Sequence, residues 1–95
     1  MTARADRIEA TLRSHFAPVM LVVQDDSRLH AGHAGASPSG ETHYAVTMVA
    51  AGFEGQSRVA RSRAVHAALA GEFGTGLHAL SLTLRTPAEH ARIPA

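Results

Sequence analysis

The sequence predicts a small α/β domain, and three observations carry that prediction. The chain has 95 residues, 45% of them hydrophobic, and stretches with helical periodicity alternate with stretches of two-residue period. This length suits one domain over 1–95, near the lower limit for a core that holds itself without staples. The longest apolar run, Val19 to Val23, is far too short to span a bilayer, so a soluble protein with no membrane partner is expected.

Residues 3–16 predict an amphipathic helix, because Ala5, Ile8, Leu12 and Phe16 recur at three- and four-residue spacing with arginines and acids between them. Pro18 ends it, since the residue before a proline avoids helical dihedrals. Residues 19–24 are apolar and rich in valine, which predicts a strand covered on both faces. Asp25-Asp26-Ser27 closes it. Residues 28–41 turn to Gly, Ser, Pro, Ala and His and form a long loop, a length often kept for function. Residues 42–50 alternate, with Tyr44, Val46 and Met48 on one face and His43, Ala45, Thr47 and Val49 on the other. They predict a second strand antiparallel to the first.

Residues 51–55 make a turn or a single helical turn, and Ser57 caps a helix over 58–73 that Gly74 and Gly76 stop. Val65, Ala68, Leu69 and Glu72 form one stripe of that helix. Residues 77–85 alternate again and place His78, Leu80, Leu82 and Leu84 on the core-facing side. Thr86-Pro87-Ala88-Glu89 has the cap, first-turn proline and acid that open a short last helix. The expected order is α-β-β-α(short)-α-β-α.

Composition then narrows the chemistry. Cysteine is absent, which excludes disulfides, a thiolate nucleophile, and any zinc or iron–sulfur site held by sulfur of this chain. Nine arginines without lysine nearly cancel eight acids, and a formal charge of +1 gives little general attraction to nucleic acid. No nucleophile has an activating partner, and no phosphate-binding glycine loop is present, so no enzyme activity is expected. The N-terminal residues lack the apolar core of a secretion signal, and the cytoplasm is the expected compartment. Seven histidines, at 15, 30, 33, 43, 66, 78 and 90, are the candidates for metal chemistry.

Several strings, taken in order, resemble the BolA family. They are Gly32-His33-Ala34-Gly35, Thr42-His43-Tyr44, Phe53-Glu54-Gly55-Gln56-Ser57, Val65-His66-Ala67-Ala68-Leu69-Ala70, Leu77-His78-Ala79-Leu80-Ser81-Leu82 and Arg85-Thr86-Pro87. The resemblance implies an α+β fold like the type II KH domain, α-β-β-α-α-β-α, with a three-stranded mixed sheet covered by helices on one face. It also implies a non-enzymatic adaptor that pairs with a monothiol glutaredoxin and shares a [2Fe–2S] cluster, in iron–sulfur trafficking or iron regulation. Sulfur would come from the glutaredoxin cysteine and glutathione, and the isolated chain, a monomer or weak dimer, would bind no cluster. The metal ligands implied are His78, at the start of the last strand, and His33 from the long loop, with His30 as its rival. Such a mixed donor set is chemically sound, because neutral imidazole ligates iron in Rieske-type clusters.

Other readings compete with this one. His30, His33 and His78 could form a three-imidazole zinc site, although no second shell or general base is evident. Arg58, Arg61 and Arg63 form a basic patch on the long helix, a surface for a partner or for nucleic acid. Gly52-Phe53-Glu54-Gly55 has the spacing of the KH nucleotide-gripping loop, so a weakly nucleic-acid-binding transcriptional regulator is the alternative function. Where the family commonly carries Arg-His-Arg, this chain has Arg61-Ser62-Arg63.

Overall fold

A computed structural model describes residues 3–26 and 42–93. Helix α1 (Ala3–Phe16) leads to strand β1 (Met20–Asp25) and then strand β2 (His43–Val49). A short 3-10 turn (Ala51–Phe53), α2 (Arg58–Ala68) and α3 (Ala70–Phe73) lead to β3 (Ala79–Arg85) and a last helix, α4 (Pro87–Ala91). The sheet order is β1-β2-β3, with β1 and β2 antiparallel and β2 and β3 parallel. A parallel pair needs a crossover, and α2 and α3 supply it.

The core lies on one face of this mixed sheet. Tyr44, Val46 and Met48 are fully buried beneath Ile8 and Leu12 of α1, Val65 of α2 and Leu69 just after it, with Phe53 closing one end. At roughly 1.5–3 kcal/mol for each large apolar side chain removed from water, these few residues supply most of the driving force of so small a domain. The predicted alternation of β2 therefore holds on its core face.

Three departures from the sequence reading have physical causes. Strand β1 is an edge strand rather than one covered on both faces, and Val22 on its outer side is 50% exposed. By contrast, α1 ends where the sequence placed its end: Ala17, the residue before Pro18, leaves helical dihedrals with φ +45°, while its amide still reaches the Arg13 carbonyl at 3.1 Å. The helix expected over 58–73 breaks at Leu69, which has φ −101° and ψ 14°. Finally, the regular strand begins at Ala79. The amides of His78 and Ala79 both donate to the Thr42 carbonyl, at 2.8 and 3.1 Å, so two consecutive residues face one partner group. This bulge-like start interrupts the alternation. Leu77 takes the interior position, and His78 is exposed instead of core-facing.

The capping signals were legible. Ser57 Oγ accepts from the Ala60 amide at 3.0 Å. Thr86 and Glu89 form a reciprocal capping box with Pro87 in the first turn of α4.

Candidate functional site: an imidazole pair at one end of the sheet

Because β2 and β3 run parallel, their N-terminal ends lie side by side, with His43 opposite Ala79. The rings of His43 and His78 stack at 6.3 Å between centroids and 25° between planes. Thr42, buried, organises the pair: its carbonyl takes the amides of His78 and Ala79, and its Oγ1 lies 2.8 Å from His43 Nδ1. The Asp26 amide donates to the His43 carbonyl at 2.8 Å, so the chain leaves β1 and returns at Thr42 at this same end. His30 and His33 lie between those two points, outside the described residues.

An exposed imidazole at the end of a strand can offer nitrogen to a metal that another molecule holds. Among the described residues, no group of three or more His, Asp or Glu able to hold a metal occurs. The part played by His43 was not foreseen, since its strand position suggested nothing more. The signal available was the parallel register, which follows once β2 and β3 are joined by a helical crossover. Of the other histidines, His66 is exposed and stacks on Phe73 at 5.2 Å, and His15 packs beside Phe16 at 6.2 Å.

The basic patch divides. Arg58 and Arg63 are exposed, but Arg61 is 6% exposed and belongs to the structure of the domain rather than to its surface. Its Nη1 donates to Glu89 Oε1 at 2.6 Å and to the Leu84 carbonyl at 3.2 Å, its Nη2 to Glu89 Oε2 at 3.1 Å, and its Nε to the Gln56 carbonyl at 3.1 Å. The guanidinium also sits 5.8 Å from the centre of the Phe53 ring. Hydrogen bonding from Arg61 and from the Thr86 amide holds the Glu89 carboxyl down to about 2. The same pairing raises Arg61 against the opposing effect of burial.

The glycine-flanked turn also differs from a nucleotide grip. Phe53, one of its two central residues, is 1% exposed and packs on Phe16 with ring centres 5.5 Å apart, while Glu54 faces solvent. A turn that spends its central side chain on the core offers little to a backbone of phosphates.

Fold and site together define a small α+β domain that presents a histidine before its last strand. The family model for the BolA-like protein matches residues 12–89. The chloroplastic protein BOLA1 of Arabidopsis thaliana is 47% identical over 88 residues, covering 90% of this chain and 55% of that protein. Human BolA-like protein 1 is 43% identical over 82 residues, covering 86% of this chain and 57% of its own length. The BolA domain of SufE1 from Arabidopsis thaliana superposes with a TM-score of 0.85 at 42% identity, covering 94% of this chain and 98% of that domain. The chain belongs to the BolA-like family. It spans about half the length of those two relatives and 24% of the SufE-like protein 1 of Arabidopsis thaliana. Among the described residues, no helix is long and apolar enough to cross a membrane.

Proposed function

We propose that this protein is a non-enzymatic adaptor that binds a monothiol glutaredoxin and completes a [2Fe–2S] cluster with imidazole nitrogen, in iron–sulfur trafficking or iron regulation. The observation that carries this reading is the exposed imidazole of His78 on a chain without cysteine. His78 would be one ligand and His33 the other. Both ends of the segment bearing His33 are anchored beside His78, and the seven residues from Asp26 span at most about 24 Å when extended. That reach permits His33 to approach His78, which supports the reading. Thiolates would come from the glutaredoxin cysteine and from glutathione.

The donor set fits the group. Imidazole in place of thiolate leaves a cluster less negative and raises its reduction potential. The chain's own task would be to present His78, whose backbone amide the Thr42 carbonyl holds and whose ring lies beside that of His43. The outer surface of α2, where Arg58, Val59, Ser62, Arg63 and His66 line a shallow depression of about 410 Å³, is a candidate for protein contact. A cytoplasmic setting is part of the same proposal.

The test is co-purification with a monothiol glutaredoxin under anaerobic reconstitution, read by visible absorption and circular dichroism. His78→Ala and His33→Ala should each change the cluster spectrum while the two proteins still associate. Identical spectra in both variants would reject the ligand assignment.

A further inference from the structure

The two ends of β3 have different chemistry. His78 precedes the strand and Arg85 ends it, about 23 Å away at the rise of an extended chain. Because β3 is the outermost strand, one of its edges faces away from β2. The Ala79 amide bonds Thr42 and the Arg85 carbonyl accepts from Ala50, so the odd-numbered residues turn their polar groups toward β2. In a parallel ladder the N–H and C=O of one residue point to the same side, and Leu80, Leu82 and Leu84 therefore turn theirs outward, where the Leu84 carbonyl already accepts from Arg61 Nη1 at 3.2 Å.

A groove of about 610 Å³ follows this edge, with Leu82 and Leu84 as its floor and α2 and α4 as its walls. Arg61 and Glu89 inside it are paired with each other. Arg58, Arg85 and Arg92 also line it, and among the described residues no carboxylate lies within ion-pair distance of any of the three. Half-buried leucines, outward-turned backbone groups and the guanidiniums of Arg85 and Arg92 thus share one slot with Arg58, whose charge also acts on Glu89.

We propose that this groove takes an extended acidic segment of a partner protein, added to the outer edge of β3 as a fourth strand. An exposed strand edge is a template for pairing, and peptides that use it gain affinity from the backbone and specificity from alternate side chains. The apolar side chains of such a segment cover Leu82 and Leu84, and its carboxylates meet Arg58, Arg85 and Arg92. Nucleic acid fits less well, because it has no amide ladder to match the strand edge. The groove lies at the opposite end of β3 from His78, so its occupation is tested separately from the cluster reading, although Arg58 and Ser62 also line the depression on α2.

The experiment is fluorescence anisotropy of the full chain with a fluorescein-labelled, amidated peptide of alternating glutamate and valine. Saturable binding is expected, weakened by added salt and by at least about tenfold in Arg58→Glu/Arg92→Glu. The same peptide methylated on alternate backbone nitrogens should lose binding, and His78→Ala should bind like the wild type. Arg58 and Arg92 are exposed, so the variant should keep its fold. If its thermal melt shows otherwise, the glutamine pair replaces it, with a smaller loss of the same sign expected. Equal binding of the methylated peptide, unchanged affinity in the charge variant, or no binding at all would overturn the proposal. So would tighter binding of an oligonucleotide of equal charge, which would assign these arginines to nucleic acid.

Discussion

Glu72→Gln is the substitution whose outcome the structure constrains most closely. The Glu72 carboxylate accepts from Arg4 Nη1 at 2.6 Å and from Arg7 Nε and Nη2 at 2.9 and 3.0 Å. The Arg4 side chain is only 10% exposed and that of Glu72 15%, whereas Arg7 is 51% exposed. Removing one partner of a buried pair costs about 3–5 kcal/mol when the other charge is left unsatisfied. Here Arg4 keeps the carbonyls of Glu72 and Thr75, at 3.1 and 2.8 Å, and glutamine can still accept one bond, which roughly halves the loss. The exposed Arg7 arm adds at most about 1 kcal/mol. We therefore expect a loss of about 2–3 kcal/mol, or a fall in Tm of roughly 10–20 °C for a domain of this size. Urea unfolding followed by circular dichroism measures it. The acid limb adds a second constraint. Arg7, by hydrogen bond and then by charge, and Arg4 hold the Glu72 carboxyl below the ordinary carboxylate range against the opposing effect of burial. Its contribution is complete above the unfolded value of about 4.3 and disappears as pH falls through the lower folded value. The gap between wild type and variant should close in acid. A gap below about 0.5 kcal/mol at neutral pH, well under the bonds lost, or one that does not change in acid, would refute this account of the network.

Other substitutions test other parts of the structure. Gly76 has φ +124°, and an added Cβ would lie 3.1 Å from Arg4 Nη2, so Gly76→Ala should cost about 1–3 kcal/mol in denaturant unfolding. Phe53→Ala, which empties the end of the core beside Phe16 and Arg61, should cost about 3–5 kcal/mol and leave marginal stability. Glu89, held at about 2 by Arg61 and the Thr86 amide, supplies stability that is present above about pH 4.3 and lost toward pH 2. Glu89→Gln should flatten that part of the acid-unfolding profile measured by circular dichroism. His43→Ala removes the ring stacked on His78 and should alter the circular dichroism of a reconstituted glutaredoxin complex more than it alters the thermal melt.

What the sequence made legible was local. The apolar periods of α1 and β2, the Ser57 cap and the Thr86–Glu89 box are each decided within a few residues, and all are found. The misreadings arise where a distant residue decides. The valines of β1 cannot reveal that only one face of the sheet is covered, which leaves Val22 half exposed on the other. The alternation of β3 extrapolates His78 into the core because the double use of the Thr42 carbonyl, 36 residues upstream, is not a property of either segment. Arg61 reads as one of three surface arginines because Glu89, 28 residues away, makes its burial tolerable only in the folded chain. The His43–His78 pair is likewise a consequence of parallel register and leaves no mark in either segment.

The division of labour around β3 follows from these long-range contacts. Leu77 is 3% exposed and anchors the strand to the core, and its amide donates to the Glu72 carbonyl at 3.0 Å, the same oxygen that Arg4 reaches. The turn that delivers His78 is thus fixed by Leu77, Glu72 and Arg4, while the His78 side chain itself is exposed and has His43 as its ring neighbour. Folding has little use for that imidazole. His78→Ala should therefore leave the unfolding free energy within about 0.5 kcal/mol of wild type, as surface substitutions usually do. Glu72→Gln should lower stability while leaving His78 in place. If His78→Ala unfolded the domain as Glu72→Gln is expected to, the imidazole would be a structural residue, and its solvent exposure would no longer argue for a ligand.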